Sequence, residues 1–229
     1  MYEDAPMTAK EQVAKALAER VKNGDVIGLG SGSTAELAIK AIGERVRVEK
    51  LQIAGTATSL KVAQLAREVG ITLLSNINPP SLSWGFDGAD EVDPQRNLIK
   101  GHGAAMLTEK IQAHRCRGKF VIIVTADKLV KKLGEKFPVP IAVLPETIDL
   151  VSADLRSIGA TEIVERAATG KAGQIFTEQG YVVLDCRFPE LTKKLEQEIK
   201  LITGVIESGL FFELASEVLV AGSSGVRTI

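Results

Sequence analysis

The sequence predicts an α/β protein built on a parallel sheet covered on both faces, with a smaller α+β domain inserted late in the chain. Three observations carry this. Short apolar stretches alternate with segments of helical periodicity, joined by short connections, as far as Thr125. Near Leu133 that alternation gives way to strands and helices mixed with hairpin-like turns. An apolar strand then returns near the C-terminus.

The first helix runs from about Thr8 to Lys22, with Val13, Ala14, Leu17 and Val21 at helical spacing and Thr8 and Glu11 spaced as a capping box. Asn23-Gly24 ends it. Asp25 to Gly30 is a short apolar strand running into a glycine-rich turn, and a helix follows from Ser33 or Thr34 to about Val46. Leu51 to Ala54 reads as a strand, Gly55 to Ser59 as a polar turn and Leu60 to Val69 as a helix. Strands over Ile71 to Leu74 and Leu82 to Asp87 come next, with Asp87 at a C-terminal strand end. A helix from about Ala104 to His114 precedes the strongly apolar strand Lys119 to Thr125. Parallel sheets of this kind bind ligands beyond the carboxyl ends of their strands, where these polar turns lie.

Phe137-Pro138-Val139-Pro140 blocks helix formation. A strand (Ile141 to Leu144), a helix (Ile148 to Ile158), strands near Glu162 to Ala167 and Tyr181 to Cys186, and a helix (Glu190 to Ile202) follow, with a hairpin-like turn at Thr169-Gly170-Lys171. Glu217 to Ala221 is an apolar strand that returns to the first sheet, which makes the small domain an insertion.

With 229 residues the chain has room for one large domain, or one with a smaller domain attached, and 45% apolar residues bury a core without disulfides or metals. A net charge of −1, spread along the chain, argues against nucleic acid or an acidic membrane as partner and leaves a small anion open. Cys116 and Cys186 stand in no CxxC or metal-type spacing and read as reduced thiols. No apolar run approaches the roughly 18–20 residues of a membrane span. Residues 1–7 carry acids and no apolar core, so they read as a short disordered tail rather than a signal peptide. The expectation is a soluble, cytoplasmic protein.

Four segments carry chemistry. Gly28-Leu29-Gly30-Ser31-Gly32-Ser33-Thr34 joins a strand to a helix. Its glycines permit close approach, and its N–H groups and hydroxyls suit a phosphate. It lacks the lysine of a P-loop and the GxGxxG spacing of a dinucleotide fingerprint, and a plain structural turn with a Ser/Thr cap fits the local pattern equally. Gly55-Thr56-Ala57-Thr58-Ser59 occupies a similar junction and reads on its own as a helix cap. Asp87-Gly88-Ala89-Asp90-Glu91-Val92-Asp93 holds four acids in a run that does not match a calcium loop, leaving a solvated acidic turn or a set of site carboxylates. Lys100-Gly101-His102-Gly103-Ala104-Ala105 leads into a helix bearing Glu109-Lys110. Glu109 alone reads as a surface glutamate paired with a lysine. His102 reads as a residue whose backbone does the work while its ring faces solvent.

In this order, these segments resemble the ribose-5-phosphate isomerase type A family. The resemblance rests on Gly30-Ser31-Gly32-Ser33-Thr34-Ala35, Asp87-Gly88-Ala89-Asp90-Glu91, Lys100-Gly101-His102-Gly103-Ala104-Ala105 and Glu109-Lys110-Ile111. It continues through Ala126-Asp127-Lys128, Leu133-Gly134, Phe137-Pro138-Val139-Pro140 and Gly209-Leu210-Phe211. It implies a Rossmann-like catalytic domain over 1–134 and 209–229 with a ferredoxin-like lid over 135–208, and interconversion of ribose 5-phosphate and ribulose 5-phosphate without metal or nucleotide cofactor. It implies Glu109 as the proton-transferring base, with Asp87, Asp90 and Lys100 completing the active site. Ser31, Gly32, Ser33, Thr34, Gly88, Ala89, Gly101, His102, Gly103 and Lys128 are implied to bind the sugar phosphate, with Lys10 a further candidate. A homodimer or homotetramer is the expectation it gives for assembly.

Two positions depart from the family pattern: His102 stands where a glycine is common, and Thr108 where an arginine is frequent. If the first position needs positive φ, histidine is strained there. Neither change removes an acid, a base or Lys100.

The residues suit the chemistry. An aldose–ketose shift moves a proton between C1 and C2 through an enediolate, which needs a base near carbon and positive charge near the oxyanion. Burial of such a base raises its pKa and its basicity. Asp87 and Asp90 can exchange protons with sugar hydroxyls, and one of them can assist ring opening. The phosphate orients the sugar. A sugar-phosphate sensor would carry a DNA-binding module, for which there is no spare basic segment. An acyl-CoA transferase would use a glutamate nucleophile, whereas Glu109 behind a glycine turn with Lys100 suits proton transfer.

Overall fold

The computed structural model describes residues 7–170 and 172–229. The expected tail over residues 1–6 and Lys171 of the Thr169-Gly170-Lys171 turn lie outside the described residues. The chain begins with α1 (Ala9–Ala18), β1 (Val26–Leu29), α2 (Ser33–Glu49), β2 (Ala54–Ala57), α3 (Leu60–Glu68), β3 (Thr72–Leu73) and β4 (Trp84–Asp87). Then come β5 (Glu91–Val92), β6 (Leu98–Ile99), α4 (Met106–Arg115), β7 (Phe120–Thr125), β8 (Val139–Val143), α5 (Ile148–Ser157) and β9 (Glu162–Glu165). The last elements are β10 (Val182–Arg187), α6 (Lys193–Lys200), β11 (Val205–Ser208), β12 (Leu210–Phe211), β13 (Glu217–Gly222) and β14 (Gly225–Thr228). No helix among the described residues is long and apolar enough to cross a membrane.

The chain forms two compact units, one of Met1–Gly88, Gln112–Lys128 and Ala215–Ile229, the other of Ala89–Ile111 and Leu129–Leu214. The first holds a seven-stranded sheet in the order β14-β13-β7-β4-β1-β2-β3. Six strands are parallel, and only β14 runs antiparallel, as a hairpin on β13. The C-terminal strand β13 thus rejoins the first sheet beside β7, as expected. From β1 the chain winds outward through β2 and β3, then crosses back to β4 and winds the other way, so strand order reverses between β1 and β4. This is the Rossmann-like arrangement, and the reversal point is where such sheets open for a ligand.

Local sequence sets the helix starts. Thr8 caps α1, its hydroxyl accepting the Glu11 N–H while the Glu11 carboxylate accepts the Thr8 N–H. That capping box contributes about 1 kcal/mol. The helix ends at Ala18 rather than Lys22, because Arg20 and Val21 bond back three residues, to Leu17 and Ala18, and tighten the chain. Val13, Leu17 and Val21 still enter the core with Ile27, Leu29, Ile39 and Phe86.

One strand is misplaced by sequence reasoning. The expected strand Leu51–Ala54 and turn Gly55–Ser59 become β2 over Ala54–Ala57, paired in parallel with β1 from Val26↔Ala54 to Leu29↔Ala57. Gly55 reads as a turn residue, yet it is needed inside the sheet. A Cβ there would lie 2.9 Å from the Ile27 carbonyl oxygen and against the Leu29 side chain. Only Thr58-Ser59 turn, with Ser59 capping α3 through the Val62 N–H.

The second unit contains an antiparallel four-stranded sheet in the order β11-β8-β10-β9. With α5 between β8 and β9 and α6 between β10 and β11, this is the β-α-β-β-α-β ferredoxin-like pattern. Its core joins Ile141, Val143, Val151, Leu155, Leu184 and Ile199. A three-stranded sheet, β12-β6-β5, belongs to the same unit. Its strands are two residues long, too short to show a period in sequence. Cys116 and Cys186 are free and buried, and burial pushes both thiols up to about 12.

Candidate active site

In the first unit, the site begins where β1 and β4 end at the sheet's reversal point. Gly30 lets the two strand ends touch: a Cβ on it would lie 2.4 Å from the Phe86 carbonyl oxygen and 2.5 Å from Asp87 Cα and Cγ. Asp87 is fully buried. Its Oδ1 accepts the Ser31 N–H at 2.9 Å and the Gly88 N–H at 2.8 Å. One carboxylate oxygen therefore ties the glycine turn after β1 to the end of β4. Gly32 takes φ 88 as the residue before α2, a conformation that an L side chain rarely adopts. Ser33 and Thr34 open α2, where N–H groups and the helix dipole favour an anion. Lys10, on α1, donates to the Ser33 hydroxyl at 2.9 Å, which brings this candidate to the turn. Lys128 ends the single-turn 3-10 helix that follows β7, also beyond a carboxyl strand end.

The other glycine junction serves the interior. Thr56 and Thr58 are buried, Thr58 donating to the Leu29 carbonyl at 3.1 Å and the Thr56 hydroxyl lying 3.2 Å from the Gln112 amide. Gly28 makes room for the same glutamine, since a Cβ there would lie 2.7 Å from it.

In the second unit, the acidic run separates by task. Glu91 is fully buried and accepts backbone N–H groups from Gly134, Lys136 and Phe137 at 2.5–2.7 Å. Asp93 accepts from the Gln95 and Asn97 N–H groups and the Asn97 side chain. These two acids hold loops. Neither they nor Asp87 belong to a solvated acidic turn. Ala89 and Asp90 lead into β5, and Asp90 Oδ2 accepts the His102 N–H at 3.0 Å.

The segment Lys100–Ala104 is a tight turn in which the Gly101 carbonyl accepts the Ala104 N–H at 2.9 Å. Positive φ falls on Gly101 (φ 100) and Ala104 (φ 59) and not on His102 or Gly103, so histidine at the departing position carries no backbone strain. The His102 backbone is used at both ends and its ring is exposed edge-on to Phe137, 5.7 Å between centroids. That is the backbone role expected of it. The other departing residue, Thr108, accepts a hydrogen bond from Gln179.

Behind this turn, Lys100 and Glu109 are brought together. Lys100 Nζ lies 3.4 Å from Glu109 Oε2, with side-chain exposures of only 3% and 7%. Glu109 is therefore not the surface glutamate that its isolated pattern resembles. Lys110, the next residue, is buried and bridges Glu196 at 2.7 Å and Glu207 at 2.9 Å. Both ammonium groups share one aromatic ring: Lys110 Nζ is 4.9 Å and Lys100 Nζ 5.7 Å from the Phe211 centroid. Burial pushes the Glu207 carboxyl up, but the charge and hydrogen bond of Lys110, the Ser208 N–H and Lys200 outweigh it and hold it below its ordinary value.

Sequence reasoning missed Arg166, Asp185, Glu196 and Glu207. They lie far along the chain from the turn and helix they support, and no local motif marks them. Among the described residues no group of three or more His, Cys, Asp or Glu side chains is arranged to hold a metal ion.

Residues 54–225 match the family model described as ribose 5-phosphate isomerase A (phosphoriboisomerase A). The chain is 43% identical to ribose-5-phosphate isomerase A of Thermosynechococcus vestitus, over all of this chain and 99% of that one. It is 44% identical to the same enzyme of a Synechococcus species, over 95% and 94% of the two chains. Among solved structures, ribose 5-phosphate isomerase A of Methanocaldococcus jannaschii superposes with a TM-score of 0.92 at 40% identity, covering 96% of this chain and 97% of the other. A D-ribose-5-phosphate isomerase in complex with phospho-erythronic acid gives a TM-score of 0.92 at 37% identity over the same shares. With sequence and fold in agreement over nearly its whole length, this chain belongs to the ribose 5-phosphate isomerase A family.

Proposed function

We propose that Glu109 is the base in the reaction of this chain's family, the aldose–ketose interconversion of D-ribose 5-phosphate and D-ribulose 5-phosphate. The observation that supports it best is the buried Lys100–Glu109 pair directly behind the Gly101–Gly103 turn. Glu109 takes the proton from C2 of the open-chain aldose, and the electron pair of that bond moves into the C1–C2 link and onto O1. The protonated carboxyl returns the proton to C1, while O2 loses its proton and O1 gains one. Atoms and charge balance, and no redox partner enters. Lys100 and backbone N–H groups of the turn stabilise the oxyanion, where a preorganised donor acts most strongly. Ser31 to Thr34, Lys10 and Lys128 hold the phosphate, which is remote from the reacting carbons and orients the sugar. Asp87 and Asp90 exchange protons with sugar hydroxyls. A relative in complex with phospho-erythronic acid supports a site suited to a phosphorylated, oxyanion-bearing sugar acid.

The proposal includes a cytoplasmic, cofactor-free enzyme that works as a homodimer or homotetramer. Turnover of a panel of aldose phosphates tests it, with ribose 5-phosphate preferred and a chelator without effect. Turnover of none of them, or chelator inactivation reversed by a divalent metal, contradicts it. Glu109→Gln is expected to lower kcat by about 10²–10⁴-fold while ribose 5-phosphate still binds.

A further inference from the structure

We infer that Arg166, held by Asp185, is a positioning residue that aims the Gly103 N–H at the substrate oxyanion. This rests on the proposed reading of the Lys100–Glu109 site and adds residues that its motifs do not contain. Arg166 follows β9, and Asp185 lies on the neighbouring strand β10. The Arg166 Nε and Nη2 groups donate to the two Asp185 oxygens at 2.8 Å and 2.5 Å, a bidentate fork with both side chains largely buried. The remaining nitrogen, Nη1, donates to the Gly101 and His102 carbonyl oxygens, each at 2.9 Å. The guanidinium is thus committed to one carboxylate and two successive peptide units of the turn.

A trans peptide points its N–H opposite its carbonyl, so fixing the oxygen fixes the hydrogen. In the Gly101–His102 peptide the opposite N–H is the one that Asp90 accepts, and that plane is pinned at both ends. In the His102–Gly103 peptide the carbonyl is held by Arg166, and the N–H on the far side has no acceptor among the described residues. Gly103 is exposed, and a Cβ built on it would meet nothing within 4 Å. An oriented, open donor on the turn that precedes Glu109's helix suits an oxyanion. Lysine cannot replace Arg166, because one ammonium cannot form the carboxylate fork and reach both carbonyls.

Steady-state kinetics of Arg166→Lys tests the inference, with inhibition by phospho-erythronic acid and by inorganic phosphate measured in parallel. The expected result is a kcat lowered about 10-fold to 100-fold, with KM for ribose 5-phosphate changed less than about threefold. Inhibition by phospho-erythronic acid weakens by a factor similar to that in kcat, and inhibition by phosphate is unchanged. A folded variant with kcat within about threefold of the parent overturns the inference, as does parallel weakening of both inhibitors. If Arg166→Lys fails to fold, Asp185→Asn undergoes the same test, with the same pattern expected at smaller amplitude and an unchanged kcat overturning it. Glu109→Gln separates the two readings. An active Glu109→Gln enzyme removes the base assignment, whereas an inactive one beside a fully active Arg166→Lys removes only the clasp.

Discussion

Glu109 and Lys110, adjacent residues of α4, each join a buried lysine–glutamate contact in the second unit, and the two contacts are put together differently. Lys110 is gripped by Glu196 and Glu207 at 2.7 Å and 2.9 Å, and Glu207 is held in turn by Lys200 at 3.0 Å and the Ser208 N–H at 2.9 Å. Lys100 and Glu109 meet at 3.4 Å, longer than a strong charge-assisted hydrogen bond. Two lysines and two glutamates balance in the first group, and short contacts offset the desolvation of Lys110, Glu196 and Glu207, while Lys200 stays half-exposed. The Lys100–Glu109 pair is the one that the proposed proton transfer uses. The Lys110 contacts tie α4, which also carries Glu109, to α6 through Glu196 and to β11 through Glu207.

Lys100→Met is expected to lower kcat by about 10²–10³-fold, as for the loss of one oxyanion donor, with a smaller loss of stability than Lys110→Met. Steady-state kinetics and denaturant melts of both variants check this. Lys110→Met is expected to destabilise the fold by about 3 kcal/mol, because it removes the ammonium that Glu196 and Glu207 share and leaves Glu207 with only Lys200 and the Ser208 N–H, and Glu207→Gln on top of it should recover part of that loss. Additive losses would mean that the two residues do not act as a pair.

The pH dependence gives a smaller signal. The folded-state value of Glu207 lies below the ordinary 4.5, so its ionised form stabilises the fold above that value. The contribution is lost as pH falls through the folded-state value. Glu207→Gln should therefore flatten the stability profile below about pH 4.5, read by urea midpoints across the acid range. In the first unit, Thr8→Ala is expected to cost about 1 kcal/mol in thermal or urea melts and to leave kcat unchanged.

Much of this was legible locally. The Thr8 cap, the strand ending at Asp87, the returning strand β13 and the β-α-β-β-α run of the insert follow from period, caps and turn residues, whereas its last strand β11 does not, and the ferredoxin-like pattern came from the family resemblance. The segments Gly30–Thr34, Asp87–Asp90 and Lys100–Glu109 were visible as chemistry-bearing stretches. What was not legible depends on partners distant in sequence. Gly55 sits in a strand because β1 passes against it, and Glu91 serves Gly134, Lys136 and Phe137, more than forty residues on. Whether an acid caps a loop or faces a substrate is decided by which N–H groups the fold delivers to it. Arg166 is one basic residue among many in sequence, and only the fold brings it to two carbonyls of the turn.

The most direct test of the Glu109 assignment is exchange of the C2 hydrogen of ribose 5-phosphate with solvent deuterium, followed by NMR with the Glu109→Gln variant. If Glu109 is the base, the variant binds ribose 5-phosphate and leaves C2 unexchanged while the parent enzyme incorporates deuterium. Substantial exchange by the variant would show that another group removes the proton.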